Sequence, residues 1–422
     1  MNARQFTFSI LLKQKKNRAF SNLLLENALK NSEFTATDKA FATALFYGVI
    51  QKKICIDYQL SSVLRQPLKK LRDEVYIALQ MGVYQLFFMD KVPASAAINE
   101  SVKLVKKNKC AYAAGLVNAT LRNIDRQGYR LPAPDEINYL SVKYSVPQHL
   151  IELWKRDYSE QTVIGVLESL QQKASTVIRV NTLLTDADTL LLKLKAEGVT
   201  AHKSDLLENA LVLEKTSDIA ALPSFREGLF HIEDTAAQMA ALLLEAKLGE
   251  RVLDVCSAPG GKAFTIAEQM RSGEVYACDV YENRVGLIRS GAERLHIECI
   301  KTFVQDATVF NPSFGLFDKV LCDVPCSGLG IIRKKPEIMY KTAEEIEAAS
   351  ALQYDILCTS FRYLKTGGTL VYATCTLRKA ENEAVVEAFL KSHKATLVHM
   401  KTYFPHTDKT DGFFTAVIKK NE

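Results

Sequence analysis

Residues 251–279 constrain the fold more tightly than any other stretch. The apolar run Arg251-Val252-Leu253-Asp254-Val255 passes straight into the turn Cys256-Ser257-Ala258-Pro259-Gly260-Gly261-Lys262. A helical pattern then runs from Ala263 to Met270, and a second apolar run, Val275 to Asp279, follows it. A strand, a glycine turn, a helix and another strand in that order make one unit of an open α/β sheet, and further strand and helix alternation continues to the C-terminus. Residues 235–422 are therefore expected to form a doubly wound α/β domain that begins with a helix over Ala236–Ala246. In such a sheet the ligand site lies at the carboxyl edge, where the strand order reverses.

The turn fits a ligand that needs close backbone approach. Gly260 and Gly261 carry no side chain to obstruct it, and the following helix presents free amide groups. Asp279, 18 positions beyond the second glycine, ends the next strand about where a ribose diol is held. A dinucleotide loop would read G-x-G-x-x-G. Ala-Pro-Gly-Gly-Lys points instead to S-adenosylmethionine, with Cys256 to Lys262 as its loop. Asp306, in Phe303-Val304-Gln305-Asp306-Ala307 at the end of another short strand, is placed to accept from an adenine amino group and equally to cap the next turn. Asp323 follows the strand Lys319–Cys322. Its carboxyl could hold the edge of a cytosine or the ammonium of the cofactor, a better reading than a bare cap.

Two cysteines sit in matched loop settings downstream of that turn: Cys326 in Asp323-Val324-Pro325-Cys326-Ser327-Gly328, and Cys375 in Tyr372-Ala373-Thr374-Cys375-Thr376. Carbon 5 of cytosine is a poor nucleophile, so its methylation requires a thiolate to add to C6 and a second group to strip the C5 proton. Two thiols beside one cofactor loop can divide those tasks, which points to methylation of cytosine C5 in RNA; spacing leaves open which thiol does which. Cys375 follows the strand Thr369–Ala373 and precedes a helix expected to start near Ala380. A nearby helix N-terminus and a cation such as Lys262 would favour its thiolate. Cys55, Cys110, Cys256, Cys278, Cys299, Cys322 and Cys358 mostly lie in apolar runs and read as small hydrophobes. Without C-x-x-C pairs, neither a disulfide framework nor a metal site is expected, and the seven histidines share no spacing that suggests a role.

The 422 residues suggest two or three domains, and the net charge of +6 is unevenly spread. Residues 1–130 hold 21 Lys and Arg against 9 Asp and Glu, a net of +12, and the remainder carries −6. That bias suits a phosphate-contacting surface, and equally a solvated lysine-rich one. From the N-terminus to about Gln127 the pattern is helical, with apolar residues three and four apart in Ala19–Leu29, Asp38–Ile50, Leu71–Phe88 and Ala94–Lys106. An all-α module is expected over 1–130. Leu131-Pro132-Ala133-Pro134-Asp135 breaks the pattern, and 131–174 reads as linker and short helices, with Pro147–Tyr158 helical around Trp154. Over 175–234 the order is strand Val177–Asn181, helix Ala187–Glu197, strands Thr200–Ser204 and Ala210–Glu214, a short helix, and strand Gly228–Ile232. This βαββ subdomain is either RNA-recognition-like or a spacer. No apolar run is long enough for a membrane span, and the stretch Phe6–Leu12 meets Lys13, Lys15 and Lys16 with no cleavage-like segment, so a soluble, cytoplasmic protein is expected.

Ile178-Arg179-Val180-Asn181, the loop to Lys262, the Asp323–Gly328 and Thr374–Thr376 segments, Glu381-Asn382-Glu383 and Asp411-Gly412-Phe413-Phe414 occur in the order found in the Nop/Sun family of RNA cytosine-5 methyltransferases, which the segment from Ile178 to Lys419 resembles. Val92-Pro93, Ala97-Ile98-Asn99-Glu100 and Gly115 to Arg122 resemble the helical RNA-binding module of the antitermination factor NusB. The resemblance implies a Rossmann-like class I methyltransferase domain preceded by a NusB-like all-α domain. It implies Asp279 on the ribose, Asp306 on the adenine, Asp323 where cofactor and target base meet, Cys375 as nucleophile and Cys326 as the residue needed for release. It further implies small-subunit (16S) ribosomal RNA as partner, not fully assembled, since an unpaired base is easier to present. Transfer RNA and a catalytically silent RNA-binding scaffold are the alternatives, and no obligate protein partner is evident. Ser257, Ala263 and Val324 stand where the family more commonly has alanine, threonine and alanine, small changes that bear on binding strength more than on reaction type.

Overall fold

A computed structural model describes residues 2–17, 21–30, 32–215 and 218–422, and the chain in it divides into two compact units. Met1–Gln171 and Ile332–Tyr340 form one, and Gln172–Ile331 with Lys341–Glu422 the other.

The first unit is helical. Its centre is the helix Asp73–Phe88, whose residues from Val75 to Val83 are all buried, as befits a helix apolar all round. The helices Ala3–Asn17, Ala36–Gln51, Ala94–Lys107 and Ala114–Gln127 contribute to the same core. The helix expected from Ala19 is described only from Ser21 to Lys30, Ala19 itself lying outside the described residues. Leu71 and Arg72 precede the central helix rather than start it, with Asp73 and Glu74 in its first turn, where carboxylates favour the dipole. Beyond the proline-broken segment come Tyr139–Tyr144, Gln148–Asp157 and Glu160–Ser169, the first and last in addition to the single helix named there; Trp154 is fully buried. The short helix Pro336–Tyr340 belongs here too, Tyr340 donating its hydroxyl to the Ile50 carbonyl at 2.9 Å. Among the described residues, no helix is long and apolar enough to cross a membrane.

The second unit holds two sheets. In the smaller, strands β1 (Thr176–Val180), β2 (Thr200–Lys203), β3 (Ala210–Lys215) and β4 (Phe230–Ile232) lie in the order β2-β3-β1-β4, all antiparallel, with the helix Ala187–Ala196 between β1 and β2. The larger sheet comprises β5 (Arg251–Asp254), β6 (Glu274–Asp279), β7 (Ile300–Val304), β8 (Phe317–Asp323), β9 (Leu364–Thr374), β10 (Ala395–Tyr403) and β11 (Phe413–Lys420). The order is β10-β11-β9-β8-β5-β6-β7, parallel except at β11.

Consecutive residues of the central strands feed opposite faces of that sheet. Leu253, Cys322 and Tyr372 enter one core, and Val252, Leu321 and Val371 enter the other. Covering both faces leaves the edges as the only place for a ligand. The chain leaves β5 for β6 and β7 on one side and returns to β8 on the other, so the order reverses between β5 and β8. The domain is the doubly wound, Rossmann-like fold expected, and the carboxyl ends of β5, β6, β8 and β9 bring Asp254, Asp279, Asp323 and Thr374 to one edge.

Candidate active site

The turn after β5 is held open by glycine. Gly260 has φ +114°, and a Cβ there would lie 2.3 Å from the Phe264 ring. The Ser257 amide donates to the Cys278 carbonyl at 2.7 Å and the Gly260 amide to the Ser257 carbonyl at 2.8 Å, so the turn is bound to β6 and to itself. The helix that follows, Gly261–Met270, starts two residues earlier than its apolar pattern suggests. Asp279 is 4% exposed; it accepts from the Tyr281 amide at 3.1 Å and pairs with Arg284 at 3.3 Å, and Arg284 also donates to the Ala258 carbonyl at 3.2 Å. One arginine thus ties the glycine turn to the carboxylate at the next strand end. Asp306 is exposed and caps its turn, accepting from the Thr308 amide at 2.8 Å and its hydroxyl at 2.7 Å. The capping reading of Asp306 is therefore fulfilled, and the same residue lines a small cavity with Val255, Cys278, Gln305 and Ala307.

The two cysteines meet. Cys326 Sγ and Cys375 Sγ lie 3.2 Å apart without a disulfide between them, and the loops bearing them are fastened by backbone bonds from Val324 N to Ala373 O (3.1 Å) and Gly330 N to Cys375 O (3.0 Å). Glu381, fully buried, clamps the Cys326 loop. It accepts from the Ser327 amide at 2.8 Å, the Ser327 hydroxyl at 2.5 Å and Gln353 Nε2 at 3.0 Å, and Gln353 also donates to the Pro325 carbonyl. Asn382 does the same for the Cys375 loop, accepting from Thr374 at 2.6 Å and donating to the Thr376 carbonyl at 3.0 Å. These bonds explain why the helix expected near Ala380 begins only at Glu383: Asn382 sits at φ −109°, ψ −97°, outside the helical region, because its side chain is engaged across the loop.

Charge around the pair is ordered. The Cys375 sulfur beside it, its own burial, and the carboxylates of Glu381 and Asp323 push the Cys326 thiol well above the usual range, so Cys326 keeps its proton. Lys262, expected to act on the Cys375 thiol, pairs with Asp323 at 2.7 Å. Burial pulls the Lys262 ammonium down, but Asp323, Glu233 and Asp254 outweigh it and hold the group above its ordinary value. Asp254, at the end of β5, is pushed up to about 7 by burial and by Asp323, against the pull of Ser257 and Lys262.

Residues 241–419 match the family model described as 16S rRNA methyltransferase RsmB/F, residues 1–126 the NusB family, and residues 146–220 the ferredoxin-like domain of RsmF/B-like methyltransferases. A Bacillus subtilis protein described as a probable ribosomal RNA small subunit methyltransferase B is 33% identical, covering 99% of each chain. The chain belongs to this methyltransferase family. Ribosomal RNA small subunit methyltransferase B of Vibrio cholerae is also 33% identical, over 94% of this chain and 93% of its own. Among solved structures, PH0851 superposes with a TM-score of 0.85 at 27% identity, over 99% of this chain and 98% of its own. A methyltransferase homologue from Pyrococcus horikoshii gives 0.61 at 27%, over 68% of this chain and 100% of its own.

Within this family member the site contains more than its sequence announces. Cys256, Cys299 and Cys358 are half-buried rather than packed away like Cys55, Cys110, Cys278 and Cys322. His231, assigned no role beforehand, is 3% exposed between two carboxylates, those of Glu233 and Glu268. A signal was present: Arg179 and His231 stand in short apolar strands and Glu268 in an apolar helix, so polar groups able to pair were being carried into one interior.

Proposed function

We propose that the protein methylates C5 of a specific cytosine in 16S ribosomal RNA, with S-adenosylmethionine as methyl donor, through a covalent bond between Cys375 and C6 of the base. The 3.2 Å contact between Cys326 and Cys375, beside the Lys262–Asp323 pair at the switch edge of the sheet, carries this reading. The curated relatives described as small-subunit rRNA methyltransferases support the RNA target, and the NusB and ferredoxin-like matches support RNA contact outside the catalytic sheet.

The edge suits the cofactor on its own geometry. The turn Cys256 to Lys262 offers a glycine cradle, the buried Asp279 carboxylate is aimed by Arg284, and Asp306 and Ala307 line a cavity over Val255. We assign Cys256, Ser257, Ala258, Pro259, Gly260, Gly261 and Lys262 to the cofactor turn, Asp279 to the ribose, Asp306 to the adenine, and Asp323 to the junction with the base. Adenosylmethionine, when bound, supplies the electrophilic methyl group that C5 takes up.

The rest of the chemistry belongs to side chains. The Cys375 thiolate adds to C6, breaking the C5–C6 double bond and leaving an electron pair at C5. Asp323, paired with Lys262, would hold the N4 edge of the base by accepting from its amino group, and the Lys262 ammonium beside it would offset the negative charge that develops in the ring. Cys326 keeps its proton while Cys375 acts as nucleophile. In the last step a base takes the C5 proton, the pair re-forms the double bond, and Cys375 departs as thiolate; Cys326 serves this release.

Tritiated adenosylmethionine and protein-free 16S transcript, followed by bisulfite sequencing, test the assignment. One protected cytosine in the wild-type reaction is expected. Label on transfer RNA alone, or on no RNA while the cofactor binds, would replace it with the corresponding rival. A clear preference for assembled subunits over the naked transcript would overturn the substrate-state part of the reading.

A further inference from the structure

Beneath the glycine turn runs a chain of buried ionisable groups that the chemistry above does not use. Arg179, on β1, donates from Nε to Glu268 Oε2 at 3.1 Å. His231, on β4, faces Glu268 Oε1 with Nδ1 at 3.5 Å and Glu233 Oε2 with Nε2 at 3.3 Å. Thr265 donates its hydroxyl to Glu233 Oε2 at 2.5 Å. Arg179, His231, Glu233 and Glu268 are each no more than 6% exposed. The remaining oxygen of Glu233, Oε1, has no hydrogen-bond partner and lies 3.1 Å from where a Cβ on Gly261 would stand, against the residue before Lys262.

Burying four ionisable groups away from water is costly, and apolar packing of the same volume would serve stability at least as well. Their arrangement has a direction instead. It starts on the small sheet and ends under the helix that carries Lys262, whose ammonium meets Asp323 at 2.7 Å. A lysine ammonium is a point charge on a flexible four-carbon stem, so its aim is set by the anions around it. Asp323 is the anion it meets, and Glu233, whose Oε1 is unpartnered and lies against Gly261, the residue just before Lys262, is the second carboxylate set at the start of this helix.

Resting on the methylation reading above, we propose that His231 and Glu233 are positioning residues for the reaction: Glu233 aims the Lys262 ammonium at Asp323, and His231, bonded to Glu233 and packed against Glu268, which Arg179 holds from the small sheet, keeps Glu233 in place. Glu233 remains a carboxylate for this task. Burial works against its charge, but His231, Lys262 and Thr265 outweigh burial and lower its pKa. Glu268, facing Arg179 and His231 and repelled by Glu233, is pushed up to about 7 by burial. The small sheet is thereby wired to the group that orients the target base, so RNA held there and chemistry at the edge share one network.

The test uses full-length protein, protein-free 16S transcript and tritiated adenosylmethionine, with kcat, the KM for RNA and the Kd for adenosylmethionine measured separately. Glu233→Gln and His231→Phe are expected to lower kcat at least tenfold, with the KM and Kd within about threefold of wild type. His231→Gln, which keeps an N–H donor toward a carboxylate, is expected to recover most of the loss. Thr265→Val, which removes one bond to Glu233 and leaves the helix intact, is expected to lower kcat severalfold and carries the test should His231→Phe not fold. Wild-type kcat in Glu233→Gln and Thr265→Val would overturn the proposal. So would losses that track melting temperature and weaken cofactor binding equally, since those belong to a purely structural cluster. Failure of the wild-type protein to methylate any cytosine would instead remove the functional reading beneath it.

Discussion

Two sulfurs 3.2 Å apart do not ionise together, because ionising either one raises the pKa of the other. The Cys326 thiol is pushed up by the neighbouring sulfur and by burial, with Glu381 and Asp323 adding to both. Cys326→Ala should therefore leave attack intact and block release, so an RNA–protein adduct that survives denaturation accumulates on a gel with labelled transcript. Cys375→Ala should give no such band, and an adduct from that variant would exchange the two roles. Asp254 makes a prediction of another kind. Its folded value of about 7 lies above its unfolded value near 3.8, so the stability it confers is full below pH ~4 and is lost as pH rises through 7. Asp254→Asn should flatten that loss. Urea unfolding at pH 5 and pH 8 should show the difference between the two pH values shrinking by about 3 kcal/mol, from about 1.4 kcal/mol for each of the roughly two units between pH 5 and 7. At this scale the sequence pointed to the two cysteines that the structure brings together and to the acids that stand at the strand ends. It did not reveal that Lys262 answers to Asp323 and Glu233, because that pairing depends on strands brought together from far along the chain.

Elements were legible where local pattern decides them and misread where side chains reach across a loop. Strands β1 to β4 fall within a residue or two of their apolar runs, because alternation and turn residues fix them locally. The helix after Cys375 starts late because Glu381 and Asn382 serve as clamps, a fact visible only once β9 lies beside β8. Glycine separates the two cases experimentally. A Cβ on Gly330 would stand 1.9 Å from the Gly412 carbonyl oxygen, backbone that cannot swing aside, whereas Gly286, in the helix Glu282–Arg294, meets nothing within 4 Å. Gly330→Ala should displace the Cys326 loop, abolish methyl transfer and lower stability by about 2 kcal/mol or more. Gly286→Ala should raise stability by about 0.5–1 kcal/mol and leave activity unchanged. Thermal melts beside a turnover assay distinguish the outcomes, and a fully active Gly330→Ala would remove the close loop crossing from the account of the site.

For the whole molecule the sequence carries one message plainly and hides another. The proline-broken segment after residue 130 separates a helical pattern from an alternating one, yet nothing local announces that Ile332–Tyr340, soon after Cys326, groups with the N-terminal helices. Tyr340 reaches Ile50 across 290 positions of chain, a separation no periodicity records. Charge is the property of the whole chain that the sequence does give, at +12 over residues 1–130 and −6 beyond. If that surplus meets phosphates, each contact releases counterions, and the logarithm of RNA affinity falls with the logarithm of salt by about 0.7–0.9 per contact. Lys106, Lys107 and Lys109 are exposed and belong to the helical unit. Their combined replacement by alanine should make the salt slope shallower by about 1–3 units and weaken binding of the transcript, while kcat at saturating RNA stays as in wild type. Filter binding between 50 and 300 mM salt reads the slope directly. An unchanged slope would return these lysines to plain solvation and leave the small sheet as the better place to look for the RNA.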